Sequence, residues 1–469
     1  MSMLLTGGHI VGIVATLILM VAVGLYAGSK VKSAADFATG GRQAGWPVVA
    51  GAIMGTLVSG ASTIGTAQLA FQYGFSAWWF TLGAGIACAA LALGTARRFY
   101  EGSCETIAQY LVKTYGTPIG PISTVFGAMG MFLSMISQVL AFIALMTTMF
   151  PISPVMAAAI GVVFVLCYVL FGGVWGVGLV GVAKLMLLYV AMISCGALAL
   201  TMMGGVSGLQ ASLPAFPWFS LFGRGVEKDL AAGFSLVVGV LSTQTYAQAI
   251  AAGKSFPEAR KGALWSAVLI PPIGIGGIMV GLFMRANFPA TPSSEVLPTF
   301  ILGYLPPVLA GVILATLLIT AVGGWAGLLF GISTMFTRDI YQRFIRRQAQ
   351  QREALLVQRA AIVVVVLLST LVATGNAGSL ILGWSFLSMG LRGCTILCPL
   401  LGAMFFPRYL TPAAGVAAAF LGPVTNVAWF FAFPKGVDPL YPGLIVSLAT
   451  LLIVSAFTRK KDQRQTEQA

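Results

Sequence analysis

Residues 55–66 read Gly55-Thr56-Leu57-Val58-Ser59-Gly60-Ala61-Ser62-Thr63-Ile64-Gly65-Thr66 and lie in the middle of an apolar run from 45 to 73. Glycines loosen a helix, and hydroxyls can satisfy the backbone groups that loosening frees. Unwound backbone at membrane depth is tolerated only where protein or a cavity covers it. A second apolar run, 231–250, is interrupted in the same manner at Gly239-Val240-Leu241-Ser242-Thr243-Gln244-Thr245-Tyr246. Small-residue helix packing explains either interruption alone. Their positions argue for more. With 45–73 as the first helix of a core, 231–250 is the sixth, so two groups of five helices carry breaks at matching places. Five is odd, so the second group enters from the opposite side. The pattern predicts an inverted repeat that binds its ligand between the two broken helices, near the midplane.

Composition fixes the setting. The chain is 58% hydrophobic and 8% charged, with a mean hydropathy of +0.95. Soluble domains carry about 25% charged residues. A span needs about 20 apolar residues, and thirteen stretches qualify: 9–29, 45–73, 78–96, 119–149, 152–171, 175–203, 231–250, 262–284, 303–336, 357–374, 378–406, 409–433 and 439–457. The expected fold is an all-α polytopic membrane protein forming one transporter domain. An extra helix (9–29) precedes the first repeat (45–203) and the second (231–406). Two C-terminal helices (409–457) and a cytoplasmic tail (458–469) follow.

The net charge of +14 does not point to nucleic acid. With the N-terminus outside, 20 of the 26 basic residues fall on the cytoplasmic side, among them Lys30, Lys32, Arg97, Arg98 and the run Arg338–Arg359. Arg224, Lys228, Arg285 and Lys435 fall outside. This positive-inside bias sets the orientation and places the chain in a cell (inner) membrane, with lipid as a partner. The basic run near Arg346 reads either as an inner-surface helix on anionic headgroups or as a topology signal only. The six cysteines and the single His9 form no metal or relay pattern, and no phosphate loop or nucleophile–base constellation appears. No cofactor and no enzyme activity are expected.

Two basic residues remain, Lys184 and Arg392, each inside a span. All twelve carboxylates, from Asp36 to Glu467, fall in polar connections or tails. A charge in hydrocarbon costs roughly 3 kcal/mol on insertion scales, so both residues are functional candidates. Arg392 lies in FLSMGLRGCTILCPLLGAMFF. Its planar fork matches a substrate carboxylate, or it bonds carbonyls of unwound backbone. Gln68, Gln138, Gln244 and Tyr246, with Ser62 and Thr63 at the first break, are polar groups able to orient a small solute.

Five patches, in order, resemble the sodium:solute symporter family: SGASTIGTAQLAFQYGFSAWWF (59–80), ETIAQYLVKTYG (105–116), LFGGVWGVGLVGVAKLMLL (170–188), AQAIAAGKSFPEARKG (247–262) and STMFTRDIYQRF (333–344). The resemblance covers nearly the whole chain. It implies a five-plus-five inverted repeat with flanking helices and coupled uptake of a small solute. It also implies a sodium site between first-helix carbonyls, here Ala61 and Ile64, and two adjacent hydroxyls on the eighth helix. Those hydroxyl positions read Gly323 and Gly324. On the fifth helix the family's Asp and, three residues later, Gln read Gly181 and Lys184, which share a helix face. The family's sodium site thus looks lost, leaving no metal site, and one ammonium stands in its place.

Burial disfavours an ammonium while accepting carbonyls favour it, so Lys184 can act as a proton carrier or as a fixed charge. Snorkelling to the inner interface and direct substrate contact are the other readings. The expectation is a secondary transporter working by alternating access on a small organic solute, carboxylate-bearing if Arg392 binds it. It is sodium-independent or proton-coupled. Sodium coupling through a shifted site is the alternative, and a transporter-like sensor or a channel is a more distant one.

Overall fold

The computed structural model describes residues 5–28, 42–102, 104, 106–433 and 436–467. Lys30, Lys32, Asp36, Glu105 and Lys435 lie outside the described residues. So do the side chains of 170–180 within the third resembling patch and those of Lys460, Lys461, Arg464 and Glu467 in the tail. The described chain is helical: α1 (Gly7–Gly28), α2 (Trp46–Leu57), α3 (Thr66–Tyr73), α4 (Trp79–Ala90), α5 (Ile107–Tyr115), α6 (Ile119–Met149), α7 (Pro154–Met202), α8 (Val226–Leu241), α9 (Gln244–Ala251), α10 (Phe256–Asn287), α11 (Pro307–Met335), α12 (Gln351–Thr374), α13 (Ile381–Phe405), α14 (Pro412–Ala432) and α15 (Leu440–Glu467).

Nine helices among the described residues are long and apolar enough to cross a membrane, and ten if the bent pair α8–α9 is one span. Thirteen is not reached by length because several expected spans are short or merged. Trp46–Leu57 falls below span length, and α7 is a single helical run where two spans were expected. The eighth core helix does not stop at 336: it winds on through Phe336–Ile345 in wider turns. Asp339, read as part of a polar connection, therefore sits on a buried helix end at 2% exposure. The last helix likewise runs through Glu467, so most of the expected tail is helical.

Both interruptions are real breaks. Helix α2 ends where Val58 turns extended (φ −85°, ψ 97°), and the chain re-enters helical conformation through a wide turn at Ala61–Gly65 before α3. Helix α8 ends at Ser242, Thr243 is extended (φ −98°, ψ 124°), and α9 leaves at 49°. Around the first break pack α7, α10 and α11, and α9 also lies against α2 and α11. Helix α6 packs on α13, which also contacts α8 and α14. The apolar core runs continuously through these elements.

Candidate functional site

Breaking a helix at membrane depth strands N–H and C=O groups, and side chains answer each end of the first break. Ser62 Oγ accepts from the Ser59 N–H at 2.8 Å, and Gln138 Oε1 accepts from the Gly60 N–H at 3.0 Å. On the carbonyl side, Lys184 Nζ donates to the Gly55 oxygen at 2.5 Å and the Val58 oxygen at 3.0 Å. Lys184 is 1% exposed. Its ammonium turns inward onto the break, not along the helix toward the membrane surface as snorkelling requires.

The two glycines of α11 divide between neighbours. A Cβ on Gly323 would lie 3.1 Å from Lys184 Nζ, so that position faces the ammonium. A Cβ on Gly324 would lie 2.5 Å from Ser59 Cβ and 3.1 Å from Gln138 Oε1, so Gly324 accommodates the opposite rim of the break instead. Gly181 backs onto α2, where a Cβ would sit 2.2 Å from the Gly51 oxygen. Only a residue without a side chain lets α7 come this close. The Lys184 ammonium thus bonds two carbonyls at the end of α2 and faces the Gly323 position of α11, while its stem belongs to α7.

Arg392 marks the second break. Its Nη1 donates to Thr243 Oγ1 at 2.6 Å, its Nη2 to Ser388 Oγ at 2.8 Å, and its Nε to the Ser388 oxygen at 3.2 Å. Thr243 Oγ1 in turn donates to the Gly239 oxygen at 2.6 Å, which ends α8. Arg392 is fully buried, and among the described residues neither it nor Lys184 forms an ion pair. Ser385 Oγ donates to Ser137 Oγ, and Ser388 Oγ to the Gly130 oxygen, which fixes α13 against α6 around the guanidinium.

Residues 37–421 match the family model described as the sodium:solute symporter family. The chain belongs to the sodium:solute symporter family. Among its relatives, the osmoregulated proline transporter OpuE of Bacillus subtilis (strain 168) is 22% identical, with 94% of this chain and 93% of that protein covered. The sodium/glucose cotransporter of Vibrio parahaemolyticus is 23% identical over 91% of this chain and 84% of its own. An uncharacterised symporter of Escherichia coli (strain K12), YidK, is 29% identical over a shorter stretch, 38% of this chain and 31% of that protein. The structure of a Na+-coupled sialic acid symporter, substrate-bound and outward-open, superimposes with a TM-score of 0.79 at 18% identity, covering 96% of this chain and 98% of that one. The likeness establishes the transporter fold.

The carbonyls that meet Lys184 are those of Gly55 and Val58, where the helix opens, while Ala61 and Ile64, the positions the resemblance implies for a sodium site, lie six residues further on in the wide turn. Of the polar residues expected to orient a solute, most hold protein groups. Ser62 and Thr63 donate to the Ser59 oxygen at 2.8 and 3.1 Å. Gln68 Oε1 accepts from the Ile381 N–H at 3.0 Å, tying α3 to the start of α13. Gln244 Oε1 accepts from the Ile107 N–H at 2.8 Å, at the first turn of α5. Tyr246 is buried at 1% exposure. Thr243 and Ser388, the partners of Arg392, were not singled out from sequence. The signal for Thr243 was its place between the last residue of α8 and the first of α9.

Proposed function

We propose that this chain is a secondary transporter moving a small organic solute by alternating access, with the Lys184 ammonium standing where a coupling cation would bind. The observation that carries the reading is its pair of hydrogen bonds to the Gly55 and Val58 carbonyls, beside Gly323. A cation held by carbonyls of a broken helix and resting against a neighbouring helix ties the two together, as a bound metal ion would. A metal ion leaves by diffusion, whereas Lys184 can release the carbonyls only by losing its proton or by moving its side chain. The mechanism is therefore sodium-independent, with proton exchange at Lys184 as its coupling step. The moving parts are the two halves, 45–203 and 231–406, with the N-terminus outside and the C-terminus cytoplasmic.

The solute carries a carboxylate. Arg392 holds its charge beside the second break, answered among the described residues by hydroxyls, a carbonyl and a thioether. A carboxylate exchanging for Thr243 Oγ1 would balance the charge and loosen the α8–α9 junction in one step. Sodium coupling through another site is the second reading, supported by the family itself and by the sodium/glucose relative. Uptake of a labelled solute panel into proteoliposomes, with sodium replaced by potassium or choline at constant pH, separates the two. Uptake that collapses without sodium would overturn the first.

A further inference from the structure

A groove of about 290 Å³ opens on the flank of the bundle where α6, the end of α11 and α12 meet. Val125, Met129 and Phe132 of α6 form one wall, Phe336 and Ile340 of the α11 extension the other, and Val365 of α12 completes it. Val125, Met129 and Phe336 are exposed, so the groove faces the surroundings of the bundle, which at this depth are hydrocarbon. From Thr124 to Phe132 it follows α6 for about 12 Å, within the ~15 Å of one leaflet's hydrocarbon. In the expected orientation α6 starts at the cytoplasmic side, so that leaflet is the inner one.

The cytoplasmic end of the groove is basic. Arg343 lies on the same extension as Phe336 and Ile340, and its guanidinium covers Gly120, one helical turn before Thr124. A Cβ on Gly120 would lie 2.6 Å from Arg343 Nη1. The guanidinium therefore stands at the mouth, between the two helices that form the walls. It is half-buried, with the Phe344 ring centroid 5.7 Å away, and among the described residues its side chain makes no hydrogen bond or ion pair. Exposed Arg347 donates its Nε–H to the Arg343 oxygen at 3.3 Å, which brings a second guanidinium to this end. The neighbouring charges are engaged elsewhere. Arg346 pairs with Glu353 at 2.9 Å, Arg338 Nη1 donates to Gln342 Oε1, and Asp339 is buried with its oxygens on Thr106 and Thr124.

An apolar groove with an unpaired guanidinium at its mouth matches the two halves of an amphiphile. The planar fork of arginine takes a phosphate bidentately, and basic residues beside the inner surface attract anionic lipids. We infer that this groove binds one anionic phospholipid of the inner leaflet, with its phosphate on Arg343 and Arg347 and an acyl chain between α6 and the α11 extension. The position gives binding a consequence. Thr124 lines the groove and also donates to Asp339 Oδ2 on the extension, while Thr106 holds Asp339 Oδ1 from beside α5. A lipid seated across both walls braces the junction that pins α5, so occupancy slows opening of the cytoplasmic end from outside the transport path.

The test uses the full-length protein, delipidated and titrated with phosphatidylglycerol or phosphatidylcholine of identical chains, with bound lipid counted by native mass spectrometry. One phosphatidylglycerol should bind about tenfold tighter than phosphatidylcholine, whose choline offsets the phosphate. Arg343→Gln should remove that preference. Arg352→Gln, at an exposed basic residue of the same run that does not line the groove, should leave it unchanged. Ala128→Phe, which fills the groove, should weaken both lipids about tenfold. The two variants act at different ends of the site, so either decides alone if the other fails to fold. In inside-out vesicles, a cysteine at Ala108 should be labelled more slowly with phosphatidylglycerol present than with phosphatidylcholine alone, and Arg343→Gln should erase the difference. Equal losses from Arg343→Gln and Arg352→Gln would reduce the preference to general surface charge and overturn the inference. So would tight binding that survives Ala128→Phe, displacement of the lipid by equimolar sn-glycerol 3-phosphate, or labelling indifferent to the lipid.

Discussion

Lys184 shows how little room the site leaves for reinstating sodium chemistry. Gly323→Ser alone places a Cβ 3.1 Å from the Nζ and should crowd the ammonium off its carbonyls. Paired with Lys184→Gln, the same serine gains space and supplies an oxygen beside Gly55 and Val58. The double variant is therefore expected to regain sodium-dependent uptake at a fraction of wild-type rate, whereas Lys184→Ala alone should lose at least tenfold in uptake. Gly324→Thr and Gly181→Asp should not help. Their Cβ atoms would lie 2.5 Å from Ser59 Cβ and 2.2 Å from the Gly51 oxygen, so both should lower the melting temperature before any ion chemistry matters. Arg392 gives a second residue-level test. Arg392→Lys removes a fork that holds Thr243 and Ser388 and would hold a carboxylate. It should weaken binding of an acid more than binding of its uncharged amide, measured by calorimetry on the purified protein, and an equal loss for both would assign Arg392 to the helix break alone. Sequence made both cations legible because a charge without a carboxylate in its span is conspicuous. It could not separate Gly323 from Gly324. Neighbouring residues on a helix point about 100° apart, so only one of the pair can face the ammonium.

At the scale of elements, the breaks were readable and their registers were not. The density of Gly, Ser and Thr over 55–66 and 239–246 marks where a helix can open, but every residue in such a window is equally able to yield. The opening falls at Val58 because the neighbours can answer it there, with Gln138 on the N–H side and Lys184 on the carbonyl side. Those partners come from 78 and 126 or more residues away, beyond the reach of any local pattern. Gln138→Leu should therefore cost about 1–3 kcal/mol, the penalty for a buried backbone N–H left unpaired, read as a lower unfolding midpoint in mild denaturant. Gln244 illustrates the same limit. Its place on a broken helix suggests a solute contact, and no local pattern reveals that its Oε1 also caps the first turn of α5, a cytoplasmic segment in the expected orientation. Beside it, Thr106 Oγ1 donates to Asp339 Oδ1 at 2.9 Å and Thr124 Oγ1 to Asp339 Oδ2 at 3.2 Å. Together these bonds pin α5 to the sixth and eighth core helices. Gln244→Leu should raise the labelling of a cysteine placed at Ala108 by a cytoplasm-side reagent and leave solute recognition intact.

Over the whole molecule, the argument turns on how charge is distributed. Hydropathy describes a chain that crosses the bilayer many times, and the basic-residue pattern predicts that the 204–230 connection faces outward. A single cysteine at Ala215, in a cysteine-free background, should react with membrane-impermeant reagent applied outside, and reaction only with a permeant one would invert the orientation. Inside the membrane the balance is different. A sodium-coupled carrier binds and releases its cation in every cycle, so its empty state leaves the carbonyls at the first break exposed to whichever solution the site faces. Here the cation is covalently part of α7, and the Gly55 and Val58 carbonyls keep a donor for as long as Lys184 remains protonated and in place. Such a carrier should bind its solute equally well in sodium, potassium and choline, and its uptake should follow an imposed proton gradient while ignoring a sodium gradient of the same size. Uptake indifferent to both gradients would make Lys184 a fixed charge and the protein a facilitator. Uptake driven by sodium alone would mean that this chain couples through oxygens away from Lys184.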